Sequence, residues 1–143
     1  MAAAPFDWAE YLRLANQLSQ NPDEGSHRTS ISRAYYSIFH AATNQAQANG
    51  YSERSHSRLW KMYQNDADRN CRRLSFIGNV MKRAREDADY ATNVSRVEEV
   101  MTQQLNDASR FIAILAAVPA TSPQPLPPSP KRVCPFCAQT LPF

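Results

Sequence analysis

The chain has 143 residues and a formal net charge of +3, a length that fits one domain. Because Lys131 and Arg132 carry two of the positive charges, the rest of the chain is close to neutral, which argues against a strongly electrostatic DNA-binding protein but not against a local basic groove. The sequence contains no stretch of about 18 apolar residues, so we expect no membrane span. Met1 to Pro5 lacks the charged start and apolar run of a signal peptide. Three cysteines do not make a disulfide framework, so we expect a cytoplasmic protein.

Apolar residues recur at spacings of three and four along five segments, which predicts an all-α fold. The predicted helices span residues 5–20, 24–49, 55–66, 72–88 and 95–118. Asn21-Pro22 ends the first helix and Asn49-Gly50 ends the second, while Ser95 to Glu98 fits a capping box that starts the last. Because the connections are short, we expect an antiparallel four-helix bundle with one short additional helix.

A proline-rich segment follows the predicted bundle. Six of the twelve residues from Pro119 to Pro130 are proline, which predicts an extended, polyproline-like spacer that is not part of the core. The sequence therefore divides into a helical domain at 1–118, a linker at 119–130 and a tail at 131–143.

The tail contains Cys134-Pro135-Phe136-Cys137, which resembles one knuckle of a zinc ribbon. A structural zinc site needs four ligands, and this pair supplies two. A second copy of the chain could supply the other two, so that zinc would clip a dimer together; Cys71 and a histidine are a further source. The alternatives are a redox pair, which usually accompanies a βαβ context that this sequence lacks, and a tail without metal.

The second predicted helix carries two distinct faces. At roughly 100° per residue, the stripe suited to a bundle core contains Ile31, Tyr35, Ile38, Phe39 and Ala42. Arg33, Tyr36 and His40 fall on a second stripe that points away from this core. Arg33 and His40 are seven residues apart, about 10 Å along the axis, so their side chains can converge on one phosphate-sized group. A guanidinium is always charged and an imidazole titrates near neutral pH.

Two sequence words in the chain resemble the HEPN domain family. The first is Ser32-Arg33-Ala34-Tyr35-Tyr36 with Phe39-His40-Ala41-Ala42, and the second is Arg85-x-x-Ala88-Asp89-Tyr90. The resemblance covers roughly residues 6–118. It implies an antiparallel helical bundle that binds RNA or a nucleotide without a cofactor, and in the nuclease members cleaves RNA without a metal, often with two chains forming one groove.

The same resemblance assigns residues to these activities. The nuclease members carry an Arg and a His separated by four to six residues, and six residues separate Arg33 from His40, so these two are the expected catalytic residues. The expected RNA- or nucleotide-binding residues are Arg33, Tyr36, His40, Lys82, Arg85, Asp89 and Tyr90. In chemical terms, an imidazole can take the proton of a ribose 2′-hydroxyl or protonate the leaving oxygen, while a guanidinium stabilises the charged phosphoryl oxygens.

Other readings of these residues stay open. In the family's nucleases the Arg–His motif lies late in the domain with a polar residue after the Arg, whereas here it lies early and Ala34 follows Arg33. In a structural alternative, Arg33 pairs with Asp89 and ties the second helix to the end of the fourth, and a carboxylate or carbonyl satisfies His40. In a third, the same face binds RNA or a nucleotide without cleaving it.

The remaining histidines and arginines give weaker expectations. His27 and His56 are expected to be exposed, and the mixed charges of the fourth helix are typical of a solvated face. Arg69, Arg72 and Arg73 lie near the start of that helix, where the dipole disfavours cations, which hints at an anionic partner.

The resemblance also bears on partners. It implies a homodimer and a link to toxin–antitoxin or defence modules, in which a nucleotidyltransferase-type protein is the expected partner. The rival class is a non-catalytic adaptor whose bundle surface and tail recruit a partner protein.

Overall fold

The computed structural model describes residues 3–127. This part of the chain forms five α-helices and no strand: α1 (Ala9–Leu18), α2 (Glu24–Gln47), α3 (His56–Gln64), α4 (Arg69–Tyr90) and α5 (Val97–Ala116). The all-α prediction is therefore confirmed for these residues. None of the five helices is both long enough and apolar enough to cross a membrane. Residues 128–143, with the predicted zinc ligands Cys134 and Cys137, lie outside the described residues.

Carboxylate and hydroxyl groups set three of the helix starts. Asp23 accepts the N–H of Ser26 at the start of α2, and Ser55 accepts the N–H of Arg58 at the start of α3. Asp68 accepts two N–H groups of the first turn of α4, and this is why α4 begins at Arg69 rather than at 72. Such caps satisfy N–H groups that have no partner inside the helix.

The capping box predicted at Ser95 is wrong. The residue that precedes α5 is Arg96, which has a left-handed conformation with φ 53° and makes no side-chain capping bond. Ser95 therefore lies one residue too early for its hydroxyl to reach the first-turn N–H groups. Glu98 and Glu99 still lie in the first turn, where negative charge is favourable.

Helix α2 lies at the centre of the fold and contacts each of the other four helices. Its predicted core stripe from Ile31 to Ala42 is buried. The largest fully buried side chains around it come from α3, α4 and α5 as well as α2, and include Trp60, Tyr35, Tyr63, Phe111, Leu74 and Met81. One face of α2 thus joins the core while the neighbouring face stays near the surface.

The first part of the proline-rich segment packs against the helices, so the prediction of a spacer outside the core is wrong for residues 119–127. Pro123 is fully buried and Leu126 packs against the core. Gln45 Nε2 donates to the carbonyls of Pro119 at 3.2 Å and Ser122 at 2.9 Å, and Gln124 N donates to Asp66 Oδ2 at 2.7 Å. These side chains satisfy the backbone groups of the segment, which allows its apolar rings to pack.

Gly78 lets the ring of Trp60 lie directly on the backbone of α4. A Cβ atom at Gly78 would be 2.7 Å from three carbons of the indole, and Trp60 is only 1% exposed. Ser75 Oγ donates to the Trp60 carbonyl at 2.8 Å, which fixes α3 beside α4. This contact is the closest approach that any described glycine permits.

We expect Gly78→Ala to lower the free energy of unfolding by about 1–3 kcal/mol, because the indole would have to move inside a close-packed core. Gly25→Ala is the matched control, since Gly25 is exposed in the first turn of α2 and its nearest neighbour would be an Asp23 oxygen at 3.6 Å. Urea unfolding followed by circular dichroism measures both. Equal stability of the two variants would contradict the close contact.

Candidate functional site

Arg33, Tyr36 and His40 lie on one half-buried surface of α2, with aromatic side chains of α1 beside them. The Arg33 Cζ atom is 4.7 Å from the ring centroid of Tyr11 and 5.1 Å from that of Tyr36. The His40 ring is parallel to the indole of Trp8, with centroids 3.5 Å apart and an interplanar angle of 11°. Its centroid is 6.2 Å from that of Tyr36. The structure therefore brings the two predicted catalytic side chains to the same aromatic neighbours.

Arg33 forms no salt bridge with any residue of 3–127. The structural alternative in which it pairs with Asp89 is wrong, because Asp89 Oδ2 lies 3.6 Å from Arg85 Nη1 and accepts a hydrogen bond from Ser32 Oγ at 3.3 Å. Arg85 and Asp89 are one turn apart on α4, which is the spacing at which helical side chains meet. Arg33 reaches only Ser32 Oγ, at 3.4 Å.

Arg28, rather than Arg33, ties α2 to the end of α4. Its guanidinium donates to the carbonyls of Ala88 at 3.1 Å, Ala91 at 2.5 Å and Thr92 at 3.1 Å. Carbonyls at a helix C-terminus lack partners within the helix, so Arg28 supplies the donors they need. Arg33, by contrast, has no carboxylate partner among residues 3–127.

Helix α4 adds two cations to the same surface. Arg85 is 7% exposed, and its Cζ atom lies 5.5 Å from the Tyr35 ring and 5.4 Å from the Tyr36 ring. Its Nε atom is buried without a hydrogen-bond partner among the described residues. Lys82 Nζ lies 3.3 Å from Ser57 Oγ and 3.8 Å from a Glu86 oxygen. Two guanidinium groups thus lie near the ring of Tyr36, one from α2 and one from α4.

His56 belongs to this surface as well, and the prediction that it is exposed is wrong. Its ring stacks on Phe39 with centroids 4.0 Å apart, and its Nδ1 atom lies 2.7 Å from the Tyr35 hydroxyl. Its centroid is 6.0 Å from that of Tyr36. The sequence offers one signal, since His56 follows a capping serine at the start of α3, but helical periodicity does not place α3 against Tyr35.

His27 is buried rather than exposed, at 6%, whereas His56 is half-buried. One of its ring nitrogens, Nε2, lies 2.6 Å from the Asn21 carbonyl. His27 therefore joins the start of α2 to the preceding loop and has no place in the candidate site.

Burial is the main influence on the pKa of each of the two histidines of the site. Burial lowers the pKa of His40, and the charge of Arg33 lowers it further. Burial likewise lowers the pKa of His56, followed by the charges of Arg85 and Lys82, while Glu86 acts in the opposite direction. Both imidazoles are therefore neutral at pH 7.

The remaining residues that the sequence predicted for binding lie at the edge of the candidate site or outside it. Tyr90 is 80% exposed at the end of α4, and Asp89 acts through its contact with Arg85 rather than with Arg33. At the other end of α4, Arg72 donates to the carbonyls of Asp66 and Ala67 at 3.1 and 2.8 Å. The loop before the helix therefore accounts for Arg72 without an anionic partner.

Two grooves of the described residues lie away from the candidate site. One groove of about 730 Å³ lies at the start of α5 beside Arg96 and Glu99, and an apolar groove of about 290 Å³ lies between Trp8, Ala41 and Ile112. Neither is lined by Arg33, Lys82 or Arg85. Residues 3–127 also contain no group of three or more His, Cys, Asp and Glu side chains placed to hold a metal ion.

Comparison of the chain with models of known protein families and with curated proteins finds no match. The likeness to the HEPN family therefore depends on the two sequence words.

The division of work between Arg28 and Arg33 can be tested by the same substitution at both positions. Arg28→Met should lower the free energy of unfolding by about 1–3 kcal/mol, because it leaves the carbonyls at the end of α4 unpaired. Arg33→Met should cost less than about 1 kcal/mol, since only partly exposed cation–π contacts are lost. Urea unfolding measures both values, and a cost at Arg33 equal to that at Arg28 would restore a structural role for Arg33.

Proposed function

We propose that the chain is a HEPN-like, antiparallel helical bundle that binds RNA or a nucleotide through phosphate contacts on the surface formed by α2, α3 and α4. The observation that carries this proposal is the state of Arg33. Its guanidinium has no carboxylate partner among the described residues, yet Tyr11 and Tyr36 hold it in place. An oriented, unpaired guanidinium is suited to bidentate contact with phosphate oxygens.

The neighbouring side chains support an RNA ligand. Lys82 and Arg85 add positive charge from α4, and the Tyr36 ring lies near both Arg33 and Arg85. A tyrosine in this position can hydrogen-bond a phosphate or stack on a base. The exposed Tyr90 offers a second aromatic surface at the end of α4.

RNA binding is tested with a fluorescent single-stranded oligoribonucleotide in EDTA, followed by anisotropy at several salt concentrations. Arg33→Gln should weaken binding about tenfold, the value of a lost hydrogen bond to a charged group, and should reduce the salt slope by about 1. Arg96→Gln is the matched control, because Arg96 is exposed and pairs with Glu99 at the start of α5. If the wild-type chain binds no RNA and no nucleotide, the proposal fails and the adaptor function is favoured.

A second candidate function is metal-independent RNA cleavage by Arg33 and His40, which the neutral state of His40 beside Arg33 favours. A neutral His40 takes the proton of a ribose 2′-hydroxyl, and the 2′-oxygen attacks the phosphorus. The bond from phosphorus to the 5′-oxygen breaks, and that oxygen takes a proton from an acid, giving a 2′,3′-cyclic phosphate and a free 5′-hydroxyl. In a homodimer, the imidazolium of the second copy's His40 would serve as the acid.

Cleavage predicts degradation of RNA in EDTA by the wild-type chain and its loss in His40→Gln, which keeps a planar group over Trp8. The melting temperature should be unchanged. Burial and the charge of Arg33 lower the pKa of His40. Because the base must be neutral and the His40 of the second copy must be protonated, the rate should be highest near that lowered pKa and should fall on both sides of it. Cleavage by His40→Gln at the wild-type rate would exclude this role.

A further inference from the structure

We infer that His56 is an anion-binding residue of this surface: a neutral imidazole, held by Tyr35 and Trp60, that donates a hydrogen bond from Nε2 to a phosphate oxygen. The identity of the anion rests on the proposed function, whereas the state of the imidazole follows from the contacts of His56 itself.

A hydrogen-bond chain from Trp60 through Tyr35 reaches the His56 ring. The indole N–H of Trp60, which can only donate, donates to the Tyr35 hydroxyl at 3.1 Å. That hydroxyl lies 2.7 Å from His56 Nδ1, and Tyr35 and Trp60 are 0% and 1% exposed. If Nδ1 carried a proton, the hydroxyl proton of Tyr35 would be buried without an acceptor among the described residues, which is unfavourable. The hydroxyl therefore donates to Nδ1, and the proton of the neutral ring is on Nε2.

The surroundings of His56 disfavour a second proton on its ring. A second proton on His56 would have to bind Nδ1 and would break the hydrogen bond from Tyr35. It would also place a positive charge near Arg85 and Lys82. These two residues and His40 lower the pKa of His56, and Glu86 raises it. Both effects keep the ring neutral, so Nε2 stays a donor and cannot accept a proton from a substrate.

The Nε2 atom of His56 is open to solvent and has cations nearby. Nε2 makes no hydrogen bond to residues 3–127, and it is not among the buried polar atoms that lack a partner, so solvent reaches it. Close by, Arg85 is more than nine-tenths buried and keeps an unpartnered Nε, and Lys82 contacts Ser57, the residue after His56. Each of these cations also has a carboxylate neighbour, Asp89 at 3.6 Å from Arg85 and Glu86 at 3.8 Å from Lys82. A fixed neutral donor near the two cations is suited to an oxyanion that competes with these carboxylates.

The state of the ring is tested on the full chain labelled with ¹⁵N-histidine. Long-range ¹H–¹⁵N spectra at about pH 8 should show His56 with a protonated Nε2 and an unprotonated Nδ1, and the ring should gain a second proton only at a lower pH than an ordinary histidine does. Tyr35→Phe removes the hydroxyl, so His56 should then populate both tautomers. A protonated Nδ1 in the wild-type chain overturns the inference.

Binding is tested with inorganic phosphate and with the labelled RNA as separate probes. His56→Phe keeps an aromatic ring on Phe39 but lacks the donor, and it should weaken binding of both probes about tenfold or more. His56→Gln, which restores an N–H donor, should recover part of the loss. The melting temperature of each variant is measured alongside, and the wild-type spectra do not depend on how the variants fold.

The outcomes separate the two proposals. If phosphate shifts the His56 Nε2 signal but the wild-type chain binds neither RNA nor a nucleotide, the anion site stands and the proposed function fails. If RNA binds His56→Phe as tightly as wild type, the inference fails and the proposed function stands. If neither probe binds the wild-type chain, both fail.

Discussion

The buried hydroxyl of Tyr35 links the core of this fold to a histidine at its surface. A fully buried oxygen needs partners, and it finds them in the Trp60 indole at 3.1 Å and the His56 imidazole at 2.7 Å. Trp60 in turn lies on α4 at Gly78, so one buried hydrogen-bond chain fixes α3 against both α2 and α4. Since His56 is the outer end of that chain, the packing of the core decides where a surface imidazole lies and which of its nitrogens is available.

The sequence predicted the parts of this arrangement that helical periodicity controls. The buried stripe of α2 follows from spacings of three and four, and the neighbouring stripe correctly places Arg33, Tyr36 and His40 on one side of the helix. His56 could not be predicted in this way, because its contact with Tyr35 crosses the loop between α2 and α3. A period within one helix carries no information on how a second helix is turned against it.

The choice between Arg28 and Arg33 shows the same limit. Both are on α2 and both are long enough to reach α4, so the sequence does not say which one caps it. The structural alternative pairs Arg33 with Asp89 of the second sequence word, whereas the observed end of α4 at Tyr90 places carbonyls beside Arg28. The proline-rich segment was misjudged for a related reason, because composition does not reveal that Gln45 and Asp66 will bond to its backbone.

Two histidines share the surface but are held by different interactions, and this difference divides their chemistry. His40 is held by stacking on Trp8 and makes no hydrogen bond to residues 3–127, so both of its nitrogens are free to exchange protons. His56 has one nitrogen committed to a buried hydroxyl and can only donate with the other. An imidazole of the first kind suits proton transfer, and one of the second kind suits fixed recognition of charge. We therefore expect proton transfer at the end of the surface nearest α1 and anion recognition at the end formed by α3.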